Sequence, residues 1–377
     1  MGTNEKVSWK RVLILAGAII AFTIGSGFAT GQEIIQYYTA YGLKSVLVIL
    51  VFAAAFLYYN FNFAKAGAEE RFERGNDVYK HFCGKYIGTF CDYYSTLFCY
   101  MSFFVMVGGA SSTLQQEYGF PAWTGGVILT VLAILTVSGG LNSLVDAIGI
   151  VGPIIVILCI GIGVVTCVRD GAEIGAGLAV IESGAYEGAA AGETMKNAGA
   201  NWLISGLSYA GFVLLWFASF TSALGSKNKK KELNYGIIGG TIAVCIAIMV
   251  ICLAQISNIN TGLGDGRTFV WNADIPNLIL ASKIWKPFSA VFAVIVFAGI
   301  YTTAVPLLYN PVARFAAEGT PRFKVLTVVL GVAGLLVGLF LPFRVLVNVI
   351  YVLNGYVGAV LILFMIWKNV KDIRKRK

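Results

Sequence analysis

Charge is scarce in this chain. Asp, Glu, Lys and Arg make up 12% of its 377 residues, about half the share of a soluble globular domain. A water-soluble fold of this length is therefore not expected. Histidine is scarcer still: His81 stands alone in a charged loop, which leaves little basis for histidine catalysis or a His-rich metal site. The seven cysteines (Cys83, Cys91, Cys99, Cys159, Cys167, Cys245 and Cys252) form no Cys-x-x-Cys pair and mostly lie in apolar runs. They read as small buried hydrophobes. No Walker-type Gly-Lys-Ser/Thr motif occurs, so ATP-driven transport by this chain alone is not expected. No nucleophile–base or metal constellation falls at bilayer depth, so an enzyme is not expected and no cofactor is implied. Nothing resembling a cleavage site follows the first apolar run, which is too long for a signal-peptide core; the first segment is expected to stay in the mature protein.

What is present is apolar surface. Hydrophobic residues make up 58% of the chain and its mean hydropathy is +0.78. The fold class is an all-α polytopic membrane protein whose main partner is the lipid bilayer. Ten apolar segments run near 11–38, 44–65, 86–112, 122–138, 145–168, 201–224, 234–257, 287–312, 324–341 and 344–367. Each can cross a core of roughly 30 Å at 1.5 Å per residue, with 122–138 and 324–341 the tightest. If the N-terminus is cytoplasmic, 21 of the 28 Lys and Arg residues fall on that side, as the positive-inside rule requires. Both termini are then cytoplasmic, in the cell membrane. The net charge of +9 is orientation charge and does not point to nucleic acid. Trp9, Trp123, Trp202, Trp271, Trp285 and Trp367 fall at interfaces or in external loops, as a belt would. Trp216 sits in mid-segment, facing either a cavity or lipid.

The external loops 169–200 and 258–286 are long. The first reads as a solvated linker. The second holds a short helical piece after Pro276 and reads as a lid. Residues 66–85 read as a short surface helix, and Gly331, Gly334 and Gly338 as a helix-packing face. Asp92 caps or anchors the third segment.

The first segment is the anomaly. It reads Thr23-Ile24-Gly25-Ser26-Gly27-Phe28-Ala29-Thr30-Gly31-Gln32-Glu33. Each glycine costs roughly 1 kcal/mol against Ala in a helix interior, and Thr23, Ile24 and Thr30 are β-branched. Such a helix is expected to break near mid-membrane and expose backbone groups to a ligand. Glu33 lies six to eight residues beyond the break, within about 12 Å at helical rise. It either lines a cavity or proton path, oriented by Gln32, or sits at the outer interface beside Tyr37, Tyr38 and Tyr41. Ten spans divide into residues 1–168 and 201–368 around the 169–200 linker, with a basic tail at 369–377. If the halves are repeats, an odd number of spans inverts the second. Segment six should then be interrupted too, and Ser205-Gly206-Leu207-Ser208-Tyr209-Ala210-Gly211 falls where required.

The run Ile24-Gly25-Ser26-Gly27-Phe28 resembles the Gly-Ser-Gly signature in the first helix of amino acid–polyamine–cation (APC) transporters. The layout, with discontinuous helices 1 and 6 in a 5+5 inverted repeat, resembles the LeuT-type fold. The extension Phe28-Ala29-Thr30-Gly31-Gln32-Glu33 is similar to YkvI-like membrane proteins. The resemblance implies that Gly25, Ser26, Gly27 and Phe28 meet a small substrate, faced by Tyr209, Ala210, Gly211 and Phe212 of helix six and capped by Tyr100 or Phe104 of helix three. It implies a Na⁺ site of Ala21, Ile24, Ala298, Thr302 and Thr303, although Tyr301 stands where one hydroxyl is expected. Gln32 and Glu33 would serve coupling or gating. The implied function is secondary transport of an amino acid or related solute by alternating access, coupled to Na⁺ or H⁺, with helices 1, 2, 6 and 7 rocking against 3, 4, 8 and 9. The alternative is a non-transporting small-molecule receptor on the same fold.

Overall fold

A computed structural model describes residues 7–72, 74–139, 142–190 and 192–376; the side chains at 26, 142–153 and 375–376 lie outside that description. Helices account for most of it. The first span is three pieces. Helix α1 (Trp9–Thr23) starts at Ser8, whose hydroxyl accepts from the Arg11 N–H, and ends where Ile24 leaves helical geometry (φ −84°, ψ 76°). Gly25 is extended, and a single turn follows as α2 (Ser26–Thr30). The Thr30 hydroxyl donates back to the Gly27 carbonyl at 2.7 Å. Gly31, at φ +84°, then redirects the chain into α3 (Gln32–Tyr37). That left-handed geometry carries a steric penalty for a residue with a Cβ.

The second span, α4 (Ser45–Glu70), is followed by α5 (Asp77–Tyr118), which breaks at Gly84 near its start. Then come α6 (Thr124–Gly139) and α7 (Asn142–Asp170). After the linker follow α9 (Trp202–Lys227) and α10 (Lys230–Ile256). The chain continues through α11 (Pro276–Ile284) and α12 (Lys286–Phe315) to α13 (Pro321–Phe340). The last span is α14 (Phe343–Leu346), a π-helical turn (Val347–Tyr351) and α15 (Val352–Arg376). Among the described residues, eight helices are long and apolar enough to cross a membrane. The other two expected spans are the 16-residue α6 and the broken first helix.

Two expectations need correction. Segment six is not interrupted: α9 is one continuous helix from Trp202 to Lys227. Its glycines serve close packing. A Cβ on Gly206 would crowd Val48 and Val51 of α4, and one on Gly211 would strike the Gly355 carbonyl of α15. The 169–200 linker is not merely solvated chain. It contains α8 (Ile174–Ser183), and its end is tied down where the Ala198 N–H donates to the Gln36 carbonyl and the Tyr41 hydroxyl to the Gly199 carbonyl. The glycine face of α13 is as expected: Gly331, Gly334 and Gly338 lie against Ile134, Phe103 and Val107.

The helices pack in two groups. In one, α1 lies against α10 and α4 against both α9 and α10; in the other, α5, α6, α12 and α13 pack on one another. This is the partition the resemblance implies. Both termini share one end of the bundle, where Arg11 donates to Asn228 and Lys368 to the His81 carbonyl. The broken helix lies between the groups, with α2 against α12.

Candidate functional site

A cavity of about 910 Å³ runs between the two groups. At the terminal end its walls are Arg74, Gly75, Asn76 and Arg314; at its depth they are Ala21, Ile24, Gly25, Gly27 and Glu33. Here Gly25 interrupts the helix ladder and leaves backbone groups beside the open space. The side chain of Ser26 lies outside the described residues.

Glu33 is the deepest charged group. It is 4% exposed, and its Oε2 accepts a hydrogen bond from the Tyr209 hydroxyl at 3.0 Å. The outer-interface alternative therefore does not hold. The turn at Gly31 brings the carboxylate back against Gly27, whose missing Cβ is the space it fills. Tyr209 is itself ringed by Tyr37, Tyr38, Phe52 and Phe212 at 4.9–5.1 Å between centroids. Among the described residues Glu33 has no ion-pair partner.

The other expected site residues divide. Ala21, Ile24, Thr302 and Thr303 border the cavity together; Ala298 does not. The Thr302 and Thr303 hydroxyls both donate to the Gly299 carbonyl at 2.9 Å, which leaves their oxygens free to accept or to coordinate. Phe28 is fully buried behind the break. Tyr209, Ala210, Gly211 and Phe212 do not border the space; Leu215, Trp216 and Ser219 form the α9 wall, one to two turns nearer the terminal end. Tyr100 and Phe104 turn away to α13. Tyr100 donates to the Leu330 carbonyl at 2.9 Å, and the two rings stack edge-on. Ser95, Thr96, Cys99 and Met106 take their place on α5.

Of the two places open to Trp216 the cavity is the one it takes, and Tyr351 is a lining group with no signal in the sequence. Trp216 stacks on Phe98 at 13° between planes and meets Tyr351 edge-on, while its Nε1 has no hydrogen-bond partner. Tyr351 closes the π-helical turn of the last span. At the mouth, Asp92 does more than cap. It accepts from Arg314 at 2.6 and 3.2 Å and from Asn76 at 2.8 Å, with Arg74 at 4.0 Å.

The far end is sealed. Helix α11 lies over the broken helix: Asn277 donates to the Ala29 carbonyl and Gln255 to the Gly31 carbonyl, both at 3.0 Å. Gln36 donates to the Arg344 carbonyl at 2.8 Å and accepts from Asn348 at 3.0 Å. The Gln32 amide, oriented with its nitrogen toward the carbonyls of Ala273 (3.0 Å) and Asp274 (3.2 Å), joins the same seal. Gln116 and Ile275 exchange two bonds, and Ser112 donates to Asp274 at 2.6 Å. Beyond this layer a separate vestibule of about 430 Å³ is bordered by Gln116, Asp265, Asp274 and Arg344.

A bundle of membrane-length helices with a broken first span beside a one-sided cavity is a polytopic membrane protein of the LeuT type. The solved structures agree. The chain superposes on one titled as the inward-facing conformation of Mhp1, with a TM-score of 0.58 over 94% of this chain and 75% of that one, at 16% identity. That identity speaks for the fold alone. Among curated proteins, the uncharacterised protein YyaD of Bacillus subtilis is 28% identical over 132 residues, a match covering 35% of this chain and 36% of YyaD. No family model matches the chain.

Proposed function

We infer that the chain is a secondary transporter of a small organic solute, an amino acid or related compound, working by alternating access. The observation that carries this is the asymmetry around the broken helix. One end opens through a cavity of about 910 Å³ to the terminal side. The other is closed by side chains of α10 and α11 bonded to the same segment's backbone and by Gln36 of α3 bonded to the Arg344 carbonyl of α14. A chain that can exchange these two arrangements carries a solute across.

In this reading residues 1–168 and 201–368 are the two repeats joined by the 169–200 linker, and the tail 369–377 and both termini are cytoplasmic, in the cell membrane. The Phe28–Glu33 run resembles that of YkvI-like members of the APC superfamily. Gly25, Ser26 and Gly27 contribute backbone to the site. Coupling is to Na⁺, held by Thr302 and Thr303 with carbonyls at Ala21 and Ile24, or to H⁺ at Glu33. The test is flux of an amino-acid panel in proteoliposomes, with Na⁺ and H⁺ gradients imposed separately. Gradient-dependent uptake is expected. Binding without flux of any solute would favour the receptor and sink this reading.

A further inference from the structure

The cations at the terminal end are distributed unevenly. Around the loop between α4 and α5 they are matched: Lys65 with Glu69, Lys80 with Asp77, and Arg74 and Arg314 with Asp92. Where α1 begins beside the turn from α9 to α10, the balance is different. Residues 8–11 and 227–232 hold Lys10, Arg11, Lys227, Lys229, Lys230 and Lys231 against one carboxylate, Glu232. Glu232 is 6% exposed, and its Oε1 accepts the Ser8 N–H at 2.9 Å. Arg11 donates twice to the Asn228 amide oxygen, at 2.9 and 2.6 Å. These ties fasten the start of α1 to the turn, so the rim is built before anything binds. They also turn the carboxylate inward. Lys10, Lys227, Lys230 and Lys231 are left exposed, without an ion-pair partner among the described residues. Trp9, 67% exposed, and Tyr235, 46% exposed, stack at the same rim with 5.8 Å between ring centroids and 29° between planes. Rings with an apolar body and a polar tip settle at headgroup level.

We propose that this rim is a docking surface for anionic phospholipid: headgroup phosphates lie on Lys10, Lys227, Lys230 and Lys231, and the Trp9–Tyr235 pair sits at the boundary with the acyl chains. The lysines select the charge and the ring pair fixes the depth. A soluble anion would use the lysines alone and would give two exposed rings at the start of a spanning helix nothing to meet. Orientation of the chain requires cations on this side of the membrane. It does not require them on one rim, nor a neighbouring carboxylate turned inward. The turn between α12 and α13, at the same end, carries Arg322 and Lys324 with Glu318, and it is the natural comparison. Close to an anionic surface each Lys or Arg contributes about a 5-fold preference. The attraction fades within a Debye length, about 10 Å at 0.1 M salt. The surface is independent of what the cavity carries.

The experiment places the purified full chain in nanodiscs of phosphatidylcholine with increasing phosphatidylglycerol. One lipid or the other is brominated, and the Trp9 signal is the fluorescence difference between the parent chain and Trp9→Phe. Brominated phosphatidylglycerol should quench Trp9 at a mole fraction ~10-fold below that needed for brominated phosphatidylcholine. Raising the salt concentration should erase that preference in the parent chain, a measurement that needs no substitution at the lysines. Lys230→Gln with Lys231→Gln, and separately Lys10→Gln with Lys227→Gln, should each lower the preference by ~5-fold or more. Arg322→Gln with Lys324→Gln removes as much charge from the same end and should leave it unchanged. The inference is overturned if the two lipids quench Trp9 equally, if the preference survives high salt, or if the Arg322 and Lys324 substitutions lower it as much as those at the rim. It is overturned too if inorganic phosphate or glycerophosphate abolishes the preference at matched ionic strength, which would make the rim a site for a free phosphate.

Discussion

Asp92 and Glu33 are both carboxylates buried to within a few per cent, and the protein treats them in opposite ways. Asp92 stands at the cavity mouth with two bonds from Arg314, one from Asn76 and Arg74 nearby. Glu33, at the cavity's depth, has one phenol. A compensated carboxylate joins helices: the Arg314 contact ties α12 to α5. An uncompensated one is left without a structural partner, and the proposed functional role of Glu33 rests on that contrast.

The largest effect should come from breaking the compensated site. Arg314→Ala leaves Asp92 buried with Asn76 and an exposed Arg74 at 4.0 Å. A loss of ~3 kcal/mol is expected, the scale on which a buried pair fails when one member is removed. It would show as a lowered unfolding midpoint in detergent. Asp92→Asn in the same background should recover much of it, because the stranded charge is gone. An additive double mutant would show that the pair is not coupled, and the contrast with Glu33 would fall.

Next comes Gly27→Ala. The new Cβ would collide with the Glu33 carboxylate, and overpacking at such a place costs ~1–3 kcal/mol. In a Glu33→Ala background the same substitution should cost little. Equal cost in both backgrounds would mean that Gly27 matters for its backbone and not for the space it leaves.

What the sequence reveals and what it hides follow one physical line. The ten segments, the break at Gly25, the lid after Pro276 and the glycine face of α13 are legible because each is written locally, in hydrophobic length, helix-breaking residues or spacing. The Thr302–Thr303 pair and the first-helix run border one cavity. Facing is the hidden part. A soluble helix shows its inner side by its polar stripe, but lipid is as apolar as a helix interface, so nothing in the text says that Tyr100 and Phe104 turn to α13 or that Trp216 turns inward. Segment six hides its continuity for a related reason: glycines that break a helix and glycines that seat one helix on another are the same letters. Arg314 could not be assigned to Asp92, 222 positions away, and the π-helical turn that carries Tyr351 has no signature of its own. The depth of Glu33 depended on Gly31 adopting positive φ; extended along a straight helix, it would have reached the outer interface.

Smaller than either loss is the effect of neutralising the uncompensated site. Glu33→Gln keeps an acceptor for Tyr209 and removes a buried charge, so the ligand-free protein should gain up to ~1 kcal/mol or stay unchanged. Asp92→Asn alone should go the other way. A destabilised Glu33→Gln, measured by the same unfolding midpoint, would mean that Glu33 has a cationic partner in the resting protein and that the two carboxylates are alike.

The smallest effect calibrates the exposed limit. Asp265 lies in the loop between α10 and α11 at the rim of the far vestibule, where the Thr268 hydroxyl donates at 2.7 Å and the backbone N–H groups of Thr268 and Arg267 at 2.8 and 2.9 Å. The Thr268 hydroxyl first, then these N–H groups, hold its carboxyl at about 2, below the ordinary carboxylate range. The sign follows from that depression. Its contribution is fully present above the ordinary value of about 4 and is lost as pH falls through 2. Because the group is exposed, solvent screening keeps it well under ~1 kcal/mol. Asp265→Asn should therefore lower the unfolding midpoint slightly at pH 6, with the difference from the parent chain shrinking below pH 4 and vanishing near pH 2. Arg314→Ala should still show a deficit at pH 4, since the pair it breaks is shielded from solvent. If the Asp265 and Arg314 effects faded together over one pH range, the mouth pair would be behaving as an exposed one. The burial that distinguishes Asp92 from Asp265 would then carry no energetic weight.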